Sequence, residues 1–223
     1  MKRNRCVIDL GSNSVRLRIA RQTASGGFET VAEEREMVRL GGNIVSTGSI
    51  DPRAVSDTLG VMRRFRSLLA RHRIQKVLVF ATAAIRDASN GADVALAIQD
   101  VLGVPVRVLS TREEGEFLLR GARRRYALDR VHGVIADLGG GSLQVVRIMR
   151  GFAVENVSLP IGALRMTGRF GTGKFSVSGY ERMSAWVRTQ LRGTLRSTMP
   201  RCEFLAGAGG GFASSESMAQ AVG

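Results

Sequence analysis

Lysine is almost missing from this 223-residue chain. Lys2, Lys76 and Lys174 are the only three among 33 basic residues, and the other 30 are arginines scattered along the whole length. Coding bias produces such usage as readily as a binding face does. The net charge of +14 therefore favours a polyanionic partner without singling out a nucleic acid. Aromatic residues are equally scarce: one tryptophan and two tyrosines make few platforms for stacking bases. No zinc-finger spacing or basic zipper occurs, so nucleic acid is disfavoured as a partner. Two cysteines, Cys6 and Cys202, form no CxxC pair, cannot complete a metal site alone, and are read as reduced structural thiols. No apolar run approaches the roughly 18–20 residues that cross a bilayer. The basic N-terminus (Lys2, Arg3, Arg5) is followed by a run broken at Asp9, too early for a signal-peptide core. The expectation is a soluble, cytoplasmic chain with no membrane partner. At 44% hydrophobic it is long enough to bury a core in one large or two small domains.

What the chain does have is one unusual turn, twice. "GVIADLGGGSLQVVRI" (133–148) is an apolar run that ends in an acid, glycines and a serine and then resumes. "CVIDLGSNSVRLRIA" (6–20) follows the same grammar, and the two align without a gap, Asp9 on Asp137 and Ser14 on Ser142. Glycines 139, 140 and 141 let backbone N–H groups converge on one concave face, a nest for an anion and most naturally for phosphate. The acid ending the preceding strand repels phosphate but suits a divalent cation, or its waters, beside it. One such turn alone is as often a plain β-hairpin; its repetition in register argues for a duplicated function.

The rest of the chain alternates strands and helices, which argues α/β architecture. Strand patterns over 6–21 and 28–38 flank the turn "TASGG". A helix is expected from Asp51 as N-cap and Pro52 as first residue, with Val55, Leu59, Met62 and Leu69 on its apolar face. "KVLVFATAAIR" (76–86) begins as a strand and leads into a loop at "RDASNG"; a helix over about 91–102 precedes the strand "VRVLS" (106–110). The next helix has start signals in two registers, Ser110 with Glu113 and Thr111 with Glu114. A further strand is expected near 152–159. Ser178 with Glu181 suggests a capping box opening a helix to about residue 197. "CEFLAGAGGGFASSESMAQAVG" reads as a strand, a glycine loop and a helix start. The repeated unit places a domain boundary at "YALDRVHG", giving domains 1–127 and 128–223.

Five segments, "VIDLGSNSVRLRI", "FATAAIRDASNG", "VLSTREEGEFLLRGA", "ADLGGGSLQVV" and "LPIGALRMTGRF", taken in this order resemble the exopolyphosphatase/guanosine pentaphosphate phosphohydrolase (Ppx/GppA) family. The resemblance covers nearly the whole chain. It implies two duplicated actin-like, ribonuclease H-like α/β domains around a cleft, and Mg²⁺-dependent removal of a terminal phosphate from polyphosphate or the alarmone pppGpp. Glu114 then matches the catalytic glutamate, as general base for water, and Arg86 matches the arginine that faces phosphate. Asp9 and Asp137 would anchor the Mg²⁺ side, while Ser12, Asn13, Ser14, Gly139, Gly140, Gly141 and Ser142 would cradle phosphate. Gly209 and Gly210 fall in what resembles the family's last glycine loop. A homodimer stays open.

Two departures accompany the resemblance. Gln144 stands where the family usually has glutamate, and a neutral amide brings no charge for Mg²⁺ and cannot act as a base. The chain also stops at Gly223, short of the helical stretch that completes the family's second domain, which is therefore expected to be incomplete. Both departures keep a second reading alive, a non-catalytic sensor of polyphosphate or a guanine alarmone. A sugar- or acetate-type kinase of the same superfold is permitted by the doubled turn alone. The histidines, His72 and His132, lie outside every matching segment, so no serine–histidine relay is supported.

Overall fold

The computed structural model describes residues 4–74, 76–171, 176–195 and 202–212. They fall into two compact units that divide between Leu109 and Ser110.

The first unit holds β1 (Asn4–Leu10), β2 (Val15–Gln22), β3 (Phe28–Glu36), α1 (Ile44–Thr47), α2 (Pro52–Arg71), β4 (Lys76–Ala81), α3 (Ala83–Asp87), α4 (Gly91–Leu102) and β5 (Val106–Val108). Its sheet runs β3-β2-β1-β4-β5. The first three strands form an antiparallel meander, whereas β4 and β5 join in parallel through helical crossovers, as parallel pairing requires. Strict alternation in β1 turns Cys6, Ile8 and Leu10 inward. They meet Val61, Met62 and Phe65 of α2 and Val94 and Ile98 of α4 in one core. Asp51 caps α2 by accepting from the Arg53 N–H at 2.8 Å, with proline at the first helical position. Met62 and Leu69 are buried as the periodicity demands, and Val55 and Leu59 pack at the margin of the same core. Burial pushes the Cys6 thiol up to about 12, so it stays protonated and unreactive near neutrality; Cys202 is exposed, and both are free thiols.

The second unit holds α5 (Thr111–Arg123), β6 (Gly133–Leu138), β7 (Leu143–Met149), β8 (Phe152–Leu159), α6 (Ala163–Phe170), α7 (Val177–Thr194) and β9 (Phe204–Ala208), with strand order β8-β7-β6-β9. Helices cover both faces of this sheet. Leu119 of α5 packs on Ile135, Val146 and Ile148, while Met166 of α6 and Trp186 and Val187 of α7 pack around Val145 and Leu159 on the other side.

The repeat read from the sequence extends further than the turn. Leu10 pairs with Val15 and Asp9 with Arg16, just as Leu138 pairs with Leu143 and Asp137 with Gln144. In each unit the first strand also pairs in parallel with a later one, β4 or β9. Even the register shift between second and third strands recurs at matching places, Ile19/Ala20 and Arg147/Ile148. Bulges bend strands and are structural features in their own right. A shared bulge is strong support for duplication.

Several expectations change. The division comes at Leu109/Ser110 rather than 127/128, because α5 buries its apolar face on β6, β7 and β8. The end of "KVLVFATAAIR" and the first two residues of the loop expected at "RDASNG" form a short helix, α3. Helix α7 is capped by Ser176, whose Oγ accepts from the Gly179 N–H at 3.1 Å, so it begins before the expected Ser178–Glu181 box. It runs to Thr194, and its expected end near 197 lies outside the described residues. So does the helix start expected beyond the last glycine loop, except for a helical turn at 209–212.

Candidate active site

In the first unit the candidate residues gather where β1, β4 and β5 end. Asp9 is exposed one residue before the end of β1. The turn after it closes with Gly11 N–H donating to Ser14 O at 3.2 Å. The carbonyls of Ser12 and Asn13 are drawn away from the turn's mouth, accepting from the Gly41 and Arg39 N–H groups at 2.8 and 3.0 Å. Ser12 is buried, and Asn13 and Ser14 are half-buried. Arg86, on α3, donates from Nη1 to the Leu109 carbonyl at 2.8 Å and pairs with Asp87 at 3.4 Å. The Leu109 carbonyl therefore fixes one edge of its guanidinium.

The second unit builds the same device differently. Gly139 N–H donates to Ser142 O at 3.0 Å, while Ala163 and Leu164 N–H groups, the first of α6, take the Gly139 and Gly140 carbonyls at 3.0 and 2.8 Å. Gly162 lies so close to the turn that a side chain there would overlap Gly140 and Gly141. With the carbonyls pulled back, the Gly140 and Gly141 N–H groups meet no acceptor among the described residues. That is the arrangement of an anion nest. Asp137 is half-buried at the end of β6. Gly209 adopts φ +85°, and a Cβ there would strike the Asp137 carboxylate and the Leu138 carbonyl. Gly210 follows in the helical turn.

Glu114 sits in the first turn of α5. The cap uses the earlier of the two registers: the Glu113 N–H donates to Ser110 Oγ at 3.3 Å, and Glu113 Oε2 accepts from the Ser110 N–H at 2.9 Å. Glu114 is thus not consumed by the cap; its own N–H begins the helical ladder on Ser110 O at 3.0 Å. Gln144 lies opposite Asp137 on β7, so the two share the face covered by α5. It is only 4% exposed. Its Nε2 donates to the Thr111 carbonyl at 3.1 Å and to Asn156 Oδ1. Asn156 Nδ2 in turn donates to the Arg112 carbonyl at 3.0 Å. Asn156, on β8, carried no signal in the sequence.

Magnesium usually keeps several waters and takes one or two carboxylates together with substrate phosphate oxygens. A single aspartate beside each turn has the right donor chemistry for that mode. Among the described residues no group of three or more His, Cys, Asp or Glu side chains could enclose a metal.

The family model of Ppx/GppA phosphatases matches residues 18–205. The chain belongs to the Ppx/GppA family. Exopolyphosphatase 2 of Mycobacterium tuberculosis is 36% identical over 171 residues, covering 73% of this chain and 53% of the relative. Exopolyphosphatase 1 of Mycobacterium bovis is 29% identical over 72% of the chain and 47% of the relative. The chain thus spans about half the length of the curated relatives it matches. Among solved structures, an exopolyphosphatase-like protein superposes with a TM-score of 0.86 at 26% identity, covering 99% of this chain and 70% of that one. The fold is therefore that of the Ppx/GppA proteins, actin-like α/β domains with mixed sheets, as the resemblance implied.

Proposed function

We propose that this Ppx/GppA chain supplies the catalytic machinery of a phosphohydrolase that removes the terminal phosphate of inorganic polyphosphate, with pppGpp as a second candidate substrate. The observation that carries the proposal is the duplicated hairpin, each copy pairing an aspartate with a turn whose carbonyls are drawn back. The repeat supports a reading in which both turns act on one phosphate chain. In that reading the amides of Gly140 and Gly141 and the turn Ser12–Ser14 hold phosphate oxygens, and Arg86 neutralises charge on the terminal group. A water attacks the terminal phosphorus, Glu114 takes its proton, and the anhydride P–O bond breaks. The products are orthophosphate and a chain one phosphate shorter. Positioning and charge neutralisation supply most of the catalysis in such transfers. Asp9 and Asp137 would hold a magnesium ion, which adds positive charge beside the phosphates.

The test is orthophosphate release from long-chain polyphosphate and from pppGpp, each with and without Mg²⁺. Release from polyphosphate that depends on Mg²⁺ is the expected result. Tight polyphosphate binding with no release of phosphate would overturn the hydrolase and leave the sensor.

A further inference from the structure

Gln144, which the resemblance marks as a departure, sits in a network of amide hydrogen bonds. Gln144 Nε2 has two acceptors, the Thr111 carbonyl and Asn156 Oδ1. Asn156 Nδ2 reaches the Arg112 carbonyl at 3.0 Å and the Thr111 carbonyl at 3.4 Å. Two side-chain amides from neighbouring strands thus grip the carbonyls of the first turn of α5. Gly115 completes the fit, because a Cβ at that position would overlap the Asn156 amide. Residues 111, 112 and 115 are held in this way, and Glu114 lies between them.

Chemistry assigns the amides their direction. Both backbone groups that they contact are carbonyls, so each side chain must present N–H and Asn156 must offer its oxygen to Gln144. A glutamate at 144 has no N–H. Ionised, it would set a buried carboxylate against the Thr111 carbonyl and Asn156 Oδ1, all of them acceptors, which is costly for a group this buried. Were Asn156 to turn over and donate to it, its oxygen would face the Arg112 carbonyl instead.

We propose that Gln144 and Asn156 form an amide clamp that positions the first turn of α5, and through it Glu114, and that Gln144 acts as a hydrogen-bond donor rather than as a substitute metal ligand. The catalytic consequence rests on the hydrolase reading; the clamp does not. Asn156 and Gln144 are positioning residues that act through α5.

Three variants of the full chain test this: Gly115→Ala, Asn156→Ala and Gln144→Glu. Backbone hydrogen exchange at residues 111–119 is measured beside thermal melting and, on polyphosphate, kcat and KM. Alanine is the better helix former, so without a clamp Gly115→Ala should slow exchange in α5. The clamp gives the opposite result: faster exchange at residues 113–115 in all three variants, with exchange in α7 unchanged. The displacement should lower kcat on the order of 10-fold with KM little changed, within the range that misplacement of up to 1 Å produces. Exchange at 113–115 that slows or stays the same in Gly115→Ala and Asn156→Ala overturns the clamp. Gln144→Glu that keeps this protection, and gains turnover or a Mg²⁺-dependent rise in melting temperature, overturns the donor role. If no variant and no wild-type protein releases phosphate, the hydrolase reading fails, while the exchange data still decide the clamp.

Discussion

Glu114 follows immediately after the residue that closes the helix cap, and this one-residue offset decides what it can do. Glu113 satisfies the Ser110 N–H and receives the Ser110 hydroxyl at 2.8 Å, so the cap closes without the neighbouring carboxylate. If Glu114 takes a proton from the attacking water, Glu114→Gln keeps the shape and removes the base. The turnover number should then fall on the order of 10²–10⁴-fold, with polyphosphate affinity retained or slightly increased because one negative charge near the phosphates is gone. Steady-state kinetics beside equilibrium binding measure both. Undiminished hydrolysis in Glu114→Gln would move the base to another residue, Glu116 being the next on the exposed side of α5.

At the scale of elements, the turn in the second unit depends on close backbone approach from two sides. Gly162 backs the glycine turn and Gly209 backs Asp137. Gly209→Ala would add a Cβ against the carboxylate and hold a non-glycine residue at positive φ, a strain of about 1–3 kcal/mol. The expected outcome is a lower denaturation midpoint together with loss of activity greater than the stability loss explains, since Asp137 must shift. Wild-type stability and turnover in Gly209→Ala would show that the approach is not needed. The hairpins themselves were legible in the sequence, because an acid, a glycine and small polar residues between two apolar runs specify a turn locally. Helix α2 was legible for the same reason, through Asp51, Pro52 and the spacing of Val55, Leu59, Met62 and Leu69. The shared bulges were not, since a register shift is a property of two strands at once and leaves no mark on either alone. Helix α3 is five residues long, too short for a periodic pattern, and the polar run after it read as a loop. Helix α5 is legible as a helix, but its amphipathic face says only that something covers it, not which sheet. Asn156 is the clearest case. Its role comes from meeting Gln144 and the Thr111 and Arg112 carbonyls, segments that only the folded second unit brings together.

For the molecule as a whole, the question is whether the charge of +14 acts at the site or around it. Among the candidate site residues Arg86 is the one cation, set against the acids Asp9, Glu114 and Asp137. Arg86 is a cation with one edge already bound to a backbone carbonyl, and the turns contribute amide dipoles rather than ions. Many of the arginines elsewhere are exposed, among them Arg66, Arg71, Arg112, Arg120 and Arg150. If a long polyphosphate runs from the terminal-phosphate site to such residues, its binding gains ionic contacts that a short chain lacks. Binding should therefore respond to salt in a length-dependent way. By analogy with counterion release from single strands, neutralising about four phosphates gives a slope near −2.8, roughly a 50-fold loss of affinity between 50 and 200 mM salt. For tripolyphosphate the slope should be much shallower, because hydrogen bonds to the nests do not release counterions. Isotherms for both chain lengths across that salt range measure the difference. Equal slopes would confine recognition to the terminal phosphates, making the excess arginine a matter of composition. A steeper slope for the long chain would assign the exposed arginines a part in holding the substrate while its end is cleaved.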